Sequence, residues 1–188
     1  KEIIKQVNKL IGYPEGCDGT FPTGGSMSNF MSLVMARDKV NLAIKEQGIS
    51  QKIVAYTSEE AHYSISKNAS FTGLGKANVR QIKSDEYGKI NISEFEKQVQ
   101  LDLANGFTPF YLNATAGTTV MCAFDDVAGL APICSKYNIW LHLDGAFGGP
   151  VIFSDRYKYL VDGINLTNSF CFNAHKTLGA PLSTSVLV

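Results

Sequence analysis

The chain has 188 residues, 45% hydrophobic and 18% charged, which suits one globular domain with a sizeable core and excludes a disordered chain. Seventeen basic and seventeen acidic residues cancel without forming a block of either sign, which argues against nucleic acid as a partner. No apolar run approaches the roughly 18 residues of a membrane helix, and Lys1-Glu2-Ile3-Ile4-Lys5-Gln6 reads as an amphipathic helix and not a signal peptide, so a cytoplasmic protein without membrane contact is expected.

Ile3, Ile4, Val7, Leu10 and Ile11 have helical spacing, and Gly12-Tyr13-Pro14 ends that pattern. Residues 12–25 hold five glycines and two prolines and form a loop. Met27, Phe30, Met31 and Val34 then predict a helix running to about Gln47, stopped by Gly48. From there the punctuation is regular. Ile53-Val54-Ala55-Tyr56 is a predicted strand, His62 to Leu74 a helix closed by Gly73 and Gly75, and Val79-Arg80-Gln81-Ile82 a strand. Ile92 to Leu103 is a helix capped by Asn91 or Ser93, Phe110-Tyr111-Leu112 a strand, and Asp126 to Tyr137 a helix. Ile139 to Leu143, Phe170-Cys171-Phe172 and Ser185 to Val188 complete the strands. Strands alternating with helices predict an α/β fold with a mostly parallel sheet and helices on both faces. A chain that stops in an apolar strand is expected to be a piece of a longer protein.

Cys17, Cys122, Cys134 and Cys171 form no C-x-x-C pair and are expected to be small core residues of a reducing compartment. The sequons at Asn68, Asn91, Asn113 and Asn165 are taken as chance matches. Three histidines and four cysteines lack the spacing of a zinc site, so no metal is expected.

Ligands of open α/β sheets bind beyond the carboxyl ends of the strands, and polar residues gather there. Gly24-Gly25-Ser26 opens a helix, either as a simple capped loop or as a phosphate site built from backbone N–H groups. It is neither a Walker A loop nor a G-x-S-x-G elbow. His62 is either a polar residue at a helix start or a satisfied histidine, and His142 is assigned to the core or to the far face of the sheet. Asp144, at the end of an apolar strand, is poorly solvated unless something cationic meets it. Lys176 follows another such strand, either with its head in solvent or as a desolvated amine able to form a Schiff base. A phosphate site, a carboxylate, an imidazole and an amine on one rim are together what pyridoxal phosphate requires.

Five segments carry a family resemblance: Pro22-Thr23-Gly24-Gly25-Ser26-Met27-Ser28-Asn29, Ala61-His62-Tyr63-Ser64, Ala114-Thr115-Ala116-Gly117-Thr118-Thr119, Trp140-Leu141-His142-Leu143-Asp144-Gly145-Ala146 and Asn173-Ala174-His175-Lys176. In this order and spacing the chain, from about Gly12 onward, resembles the group II pyridoxal-phosphate-dependent decarboxylases, which act on glutamate, cysteine sulfinate and aromatic amino acids. The resemblance implies the large domain of fold-type-I enzymes, with residues 1–188 a segment of it. The N-terminal part and the C-terminal small domain of the full protein would lie outside.

The same resemblance implies that Lys176 binds the cofactor aldehyde, Asp144 pairs with the pyridine nitrogen, His62 stacks on one ring face and Ala146 packs on the other. Gly25, Ser26 and His175 would hold the phosphate, Asn173 would order that end, and Thr119 would sit near the ring substituents. Decarboxylation of an amino acid to an amine and CO2 by a homodimer with its site at the subunit interface is implied. Ala174 stands where the family usually has proline and Gly145 where it has alanine. Thr177-Leu178-Gly179-Ala180-Pro181 follows the lysine where members acting on aromatic substrates usually place tryptophan, so the resemblance leans towards a small acidic amino acid. Another fold-type-I lyase, an aldehyde-forming relative and a non-catalytic segment are the alternatives.

Overall fold

Helices and strands alternate through residues 1–188 of the computed structural model: α1 (Glu2–Ile11), α2 (Gly25–Val40), α3 (Ile44–Gln47), β1 (Ile53–Ser58), α4 (Ser64–Phe71), β2 (Val79–Ile82), α5 (Ile92–Ala104), β3 (Thr108–Thr115), α6 (Val127–Lys136), β4 (Trp140–Gly145), β5 (Ser169–Asn173), α7 (Ala174–Thr177) and β6 (Ser185–Leu187). The strands form one sheet in the order β2-β1-β3-β4-β5-β6, parallel throughout except for the β5–β6 pair. The expected α/β architecture is therefore present.

Every residue of β1 and β5 is buried, as in a parallel sheet covered on both faces. In one layer Tyr56, Leu112, Leu143 and Phe170 pack with Phe95 of α5, Leu130 of α6 and Ile4 and Val7 of α1. In the other, Ile53, Ala55 and Phe110 pack with Leu33 and Ala36 of α2 and Ala69 of α4. Each fully buried Leu or Phe contributes about 1.5–3 kcal/mol. At the β2 edge, the buried carboxylate of Asp102 accepts N–H groups from Arg80 at 3.0 and 2.8 Å and the Tyr56 hydroxyl at 3.1 Å, clamping α5 to β1 and β2.

From β1 the chain steps outward to β2, then returns to the other side of β1 to begin β3. A sheet that reverses direction in this way opens a crevice at the carboxyl ends of its strands. The start of α2 lies over that end. A side chain at Gly25 would meet the Ala146 methyl at 2.8 Å and the Asn173 amide at 3.3 Å, so only glycine lets the helix come this close.

Four expectations need correction. The helix predicted to reach Gln47 breaks at Asn41, whose backbone is extended (φ −156°, ψ 118°). The Asn41 side chain accepts the Ala43 N–H at 3.0 Å, which offers the backbone an alternative to helix before α3 begins. The helix predicted from His62 starts at Ser64 because His62 Nδ1 accepts the Ser64 N–H at 3.2 Å, holding the histidine outside the helix. The third strand runs past Leu112 to Thr115, since the neighbouring strands cover its polar end. Cys134 and Cys171 are buried, but Cys17 and Cys122 lie in exposed loops and are not core residues. The cap left open between Asn91 and Ser93 is Asn91, whose side chain accepts the Glu94 N–H at 3.1 Å. No helix is long and apolar enough to cross a membrane.

Candidate active site

A cleft of about 330 Å³ opens at the carboxyl end of the sheet, and all nine predicted site residues line it: Gly25, Ser26, His62, Thr119, Asp144, Ala146, Asn173, His175 and Lys176. Such a volume falls in the range of small-molecule sites, about 300–1,000 Å³. Strands β1, β3, β4 and β5 each deliver one loop to the cleft, and α2 points its N-terminus at it.

Asp144 ends β4 and is 4% exposed. Its Oδ2 accepts the Asn29 amide at 2.7 Å and its Oδ1 the Ala146 N–H at 3.0 Å. No ion pair of the chain involves Asp144. A buried carboxylate held only by neutral donors is left wanting a cation, and the open side of Asp144 is the cleft.

His62 is half-buried. With Nδ1 taken by the Ser64 N–H, its ring proton sits on Nε2. Burial pushes its pKa below the ordinary value, with the Asp144 carboxylate opposing and the Lys176 ammonium reinforcing the shift, so the ring is neutral at neutral pH. Ala146 lines the cleft two residues after Asp144, where the strand turns away.

The other end of the cleft suits an anion. The N–H groups of Gly25 and Ser26 open a 16-residue helix without a side-chain cap and meet no acceptor in the chain. Beside these donors the Asn173 carbonyl oxygen Oδ1 is buried without a partner, an acceptor that awaits a donor and not an anion, and Thr115 Oγ1 on the cleft wall is also unpartnered. His175 Nδ1 faces the Thr184 carbonyl at 3.1 Å and must donate to it, leaving Nε2 free.

Lys176 occupies the single turn α7 directly after β5 and lies at the rim of the cleft, where Nζ makes no ion pair or hydrogen bond within this chain. The backbone of α7 is nevertheless fixed, with the Ala174 N–H on Thr184 (2.9 Å) and the Thr177 hydroxyl on Phe147 (3.2 Å). Thr118 is buried and accepts the Ala123 N–H at 3.0 Å, which leaves its neighbour Thr119 exposed towards the cleft.

Sequence reasoning missed the polar residues behind Asp144. Asn29, His142, Ser64 and Ser169 are buried there; His142 is in the core, the first of its two expected places, and faces α2 on the same side as Asp144 and not the far face. The signal was available: residues i and i+2 of a strand share a face, and Asn29 lies one helical turn after Gly25.

Asp125 braces the loop that carries Thr119. Its carboxylate accepts the N–H groups of Ile90 and Thr115, both at 2.7 Å. Burial raises its pKa from 3.8 to about 6 against the pull of those two donors. The folded protein thus holds this proton more tightly than the unfolded chain, so the contribution is complete below about pH 4 and lost as pH rises through about 6. In the full-length protein, the stability difference between wild type and Asp125→Asn is expected to shrink by about 2 kcal/mol from pH 4.5 to 7. Denaturant titrations at several pH values measure it; parallel pH profiles would contradict the assignment.

The residues fit pyridoxal phosphate: an amine at the rim, a carboxylate lacking a cation, a slot beside Ala146 and unmet N–H donors at a helix start. The sequence signature of the pyridoxal-dependent decarboxylase conserved domain matches residues 1–188. Cysteine sulfinic acid decarboxylase of Rattus norvegicus is 40% identical over 190 residues, covering all of this chain and 38% of the relative. The acidic amino acid decarboxylase GADL1 of Xenopus tropicalis is 40% identical over 188 residues, covering 99% of this chain and 37% of the relative. The crystal structure of mouse CSAD superposes with a TM-score of 0.96 at 40% identity, over 99% of this chain and 39% of that one. The chain thus spans well under half the length of the relatives it matches, and its sheet has the large-domain fold of fold-type-I enzymes. By sequence, by fold and by the chemistry its cleft is fitted to, the chain belongs to the pyridoxal-dependent decarboxylase family.

Proposed function

We propose that the protein containing this chain decarboxylates a small acidic L-amino acid, of the cysteine sulfinate, aspartate or glutamate type, to the amine and CO2 with pyridoxal phosphate. The observation that carries the reading is the pairing within one cleft of a rim amine, Lys176, with a buried carboxylate, Asp144, that has no cation of its own. The acidic substrate class is supported by the names of the relatives at 40% identity.

Bound pyridoxal phosphate supplies an electron sink for the carbanion that departing CO2 leaves. Lys176 would anchor the cofactor through Nζ, and the exposure of that atom lets it meet an incoming aldehyde without rearrangement of the core. Asp144 would hold a proton at the ring nitrogen, since its neutral partners leave its charge unspent. His62, neutral with Nε2–H free, would lie over one ring face and direct that N–H at the reacting end, while the methyl of Ala146 would set the width of the slot on the other. The N–H groups of Gly25 and Ser26, with His175 once Nε2 also carries a proton, would bind the phosphate, Asn173 would order that end, and Thr119 would meet the ring substituents.

In this reading residues 1–188 are a segment of the large domain, and the rest of the protein supplies the small domain and the ligands of the substrate carboxylate. We assign the protein to the cytoplasm as a homodimer with its site at the subunit interface, acting on a small molecule and not on nucleic acid or membrane. A product assay of the full-length protein against acidic and aromatic amino acids tests the function. Amine and CO2 in equal amounts are expected, with kcat/KM favouring acidic substrates by about 100-fold or more, because a site built to pair a side-chain anion is left unpaired by an aromatic ring. An aldehyde product, or a preference for aromatic substrates, would overturn it.

A further inference from the structure

Behind Asp144 a chain of side chains runs from Asn29 at the cleft wall to the half-buried Trp140. Trp140 Nε1 donates to Ser169 Oγ at 2.8 Å, Ser169 Oγ lies 2.8 Å from His142 Nδ1, and His142 Nε2 lies 3.0 Å from Asn29 Oδ1. Asn29 Nδ2 then donates to Asp144 Oδ2 at 2.7 Å and to Ser64 Oγ at 3.0 Å. His142 and Ser169 are 0% and 1% exposed, and Asn29 is 1% exposed.

The direction of the bonds follows from the Asp144 end, because a carboxylate can only accept. Asn29 must turn its amide nitrogen towards the carboxylate, so its oxygen faces His142 Nε2 and needs a donor there. That places the imidazole proton on Nε2, so Nδ1 accepts the Ser169 hydroxyl, whose oxygen accepts the Trp140 indole N–H in turn. His142 is neutral in this arrangement, and burial lowers its pKa to about 4 against the pull of Asp144, so it stays neutral at working pH. Cys171, 3.8 Å from Asp144 Oδ1, has a thiol pKa raised by burial and adds no second negative charge.

We propose that Asn29, His142 and Ser169 form a one-way hydrogen-bond relay that positions the Asp144 carboxylate and supports its charge with dipoles alone, so that the charge stays available to the cofactor ring nitrogen. The proposal rests on the function given above. A cationic histidine at this place would share the charge of Asp144; a relay of neutral donors orients the carboxylate without neutralising it. His142 and Ser169 are positioning residues, since they act only through Asn29 and Asp144, and Asn29 acts through the Asp144 carboxylate that it holds.

The test uses the full-length holoenzyme loaded with cofactor labelled with 15N in the ring, read by NMR at pH 7.5 beside steady-state kinetics. Wild type is expected to show a protonated ring nitrogen. In His142→Leu and Asn29→Leu the resonance moves towards the unprotonated position, and kcat falls about 10- to 100-fold with KM changed less than about threefold. His142→Gln, which offers an N–H at a similar reach, returns kcat to within about fivefold of wild type. A packing role predicts the reverse order, because leucine suits an apolar core better than glutamine. If His142→Leu folds and keeps the wild-type resonance and kcat, or if glutamine is no better than leucine, the relay is refuted. Should the leucine variants not fold, Ser169→Ala, three hydrogen bonds from Asp144, carries the same readout, and an unchanged resonance and kcat there also refute it. Wild type that neither loads cofactor nor turns over overturns the function on which the relay rests, and is thereby distinguished from a silent relay in an active enzyme.

Discussion

Lys176→Ala in the full-length protein is expected to remove the visible absorption band of lysine-bound cofactor and to lower decarboxylation by about 10⁴-fold or more. The size of the effect follows from losing the covalent anchor outright, a group for which no neighbour substitutes, since Lys176 is the sole lysine lining the cleft. Stability of the cofactor-free protein should not follow activity. The side chain is bonded to nothing in the chain, so with cofactor removed from both proteins melting should change by less than about 0.5 kcal/mol. The hydrogen bonds that hold α7 run through Ala174 and Thr177 and survive the change. Absorbance spectra with cofactor and thermal melts without it measure the two halves; a persistent band at 1:1 stoichiometry would sink the assignment of Lys176.

The second large effect is at Asp144. Asp144→Asn keeps the shape but removes the charge that would meet a ring cation in a nearly dry setting. Breaking a buried charge pair by removing one partner costs about 3–5 kcal/mol, which corresponds to roughly 10²–10⁴-fold in rate or affinity. In the cofactor-free protein the relief of desolvation is offset, because Asn has one acceptor oxygen for the two N–H groups that Asp144 accepts, so a smaller change, of about 1–3 kcal/mol at most, is expected there. Equilibrium dialysis of pyridoxal phosphate and denaturation of the cofactor-free protein separate the two. A variant that binds and turns over as wild type does would contradict the role.

How far the site was legible depended on what kind of signal each residue carries. Glycine clusters and strand-end polar residues are local, so Gly25, Ser26, Asp144, Asn173 and Lys176 stand out in the sequence, and strand alternation carries them to one rim. Asn41 broke a helix whose apolar spacing continued through it, because one side-chain hydrogen bond decides against a periodic pattern there. His142 was assigned by its apolar neighbours Leu141 and Leu143, which lie on the opposite face of β4 from it. Only the packed position of Asn29, from a helix more than a hundred residues earlier, reveals what the imidazole does.

The antiparallel strand β6 has a consequence for how the site comes into being. The loop before α2 pairs with it, through Thr20 N–H to the Leu187 carbonyl at 2.8 Å and Leu187 N–H to the Thr20 carbonyl at 3.0 Å. Gly19 permits the approach, since a side chain there would strike the Leu187 carbonyl at 2.5 Å. Five residues on from Thr20, the chain becomes the turn at Gly25. During synthesis at about 5–20 residues per second, Leu187 emerges roughly 10 to 30 seconds after Thr20. The pairing that anchors the approach to α2 thus closes a loop of nearly the whole chain and can form only once β6 has been made.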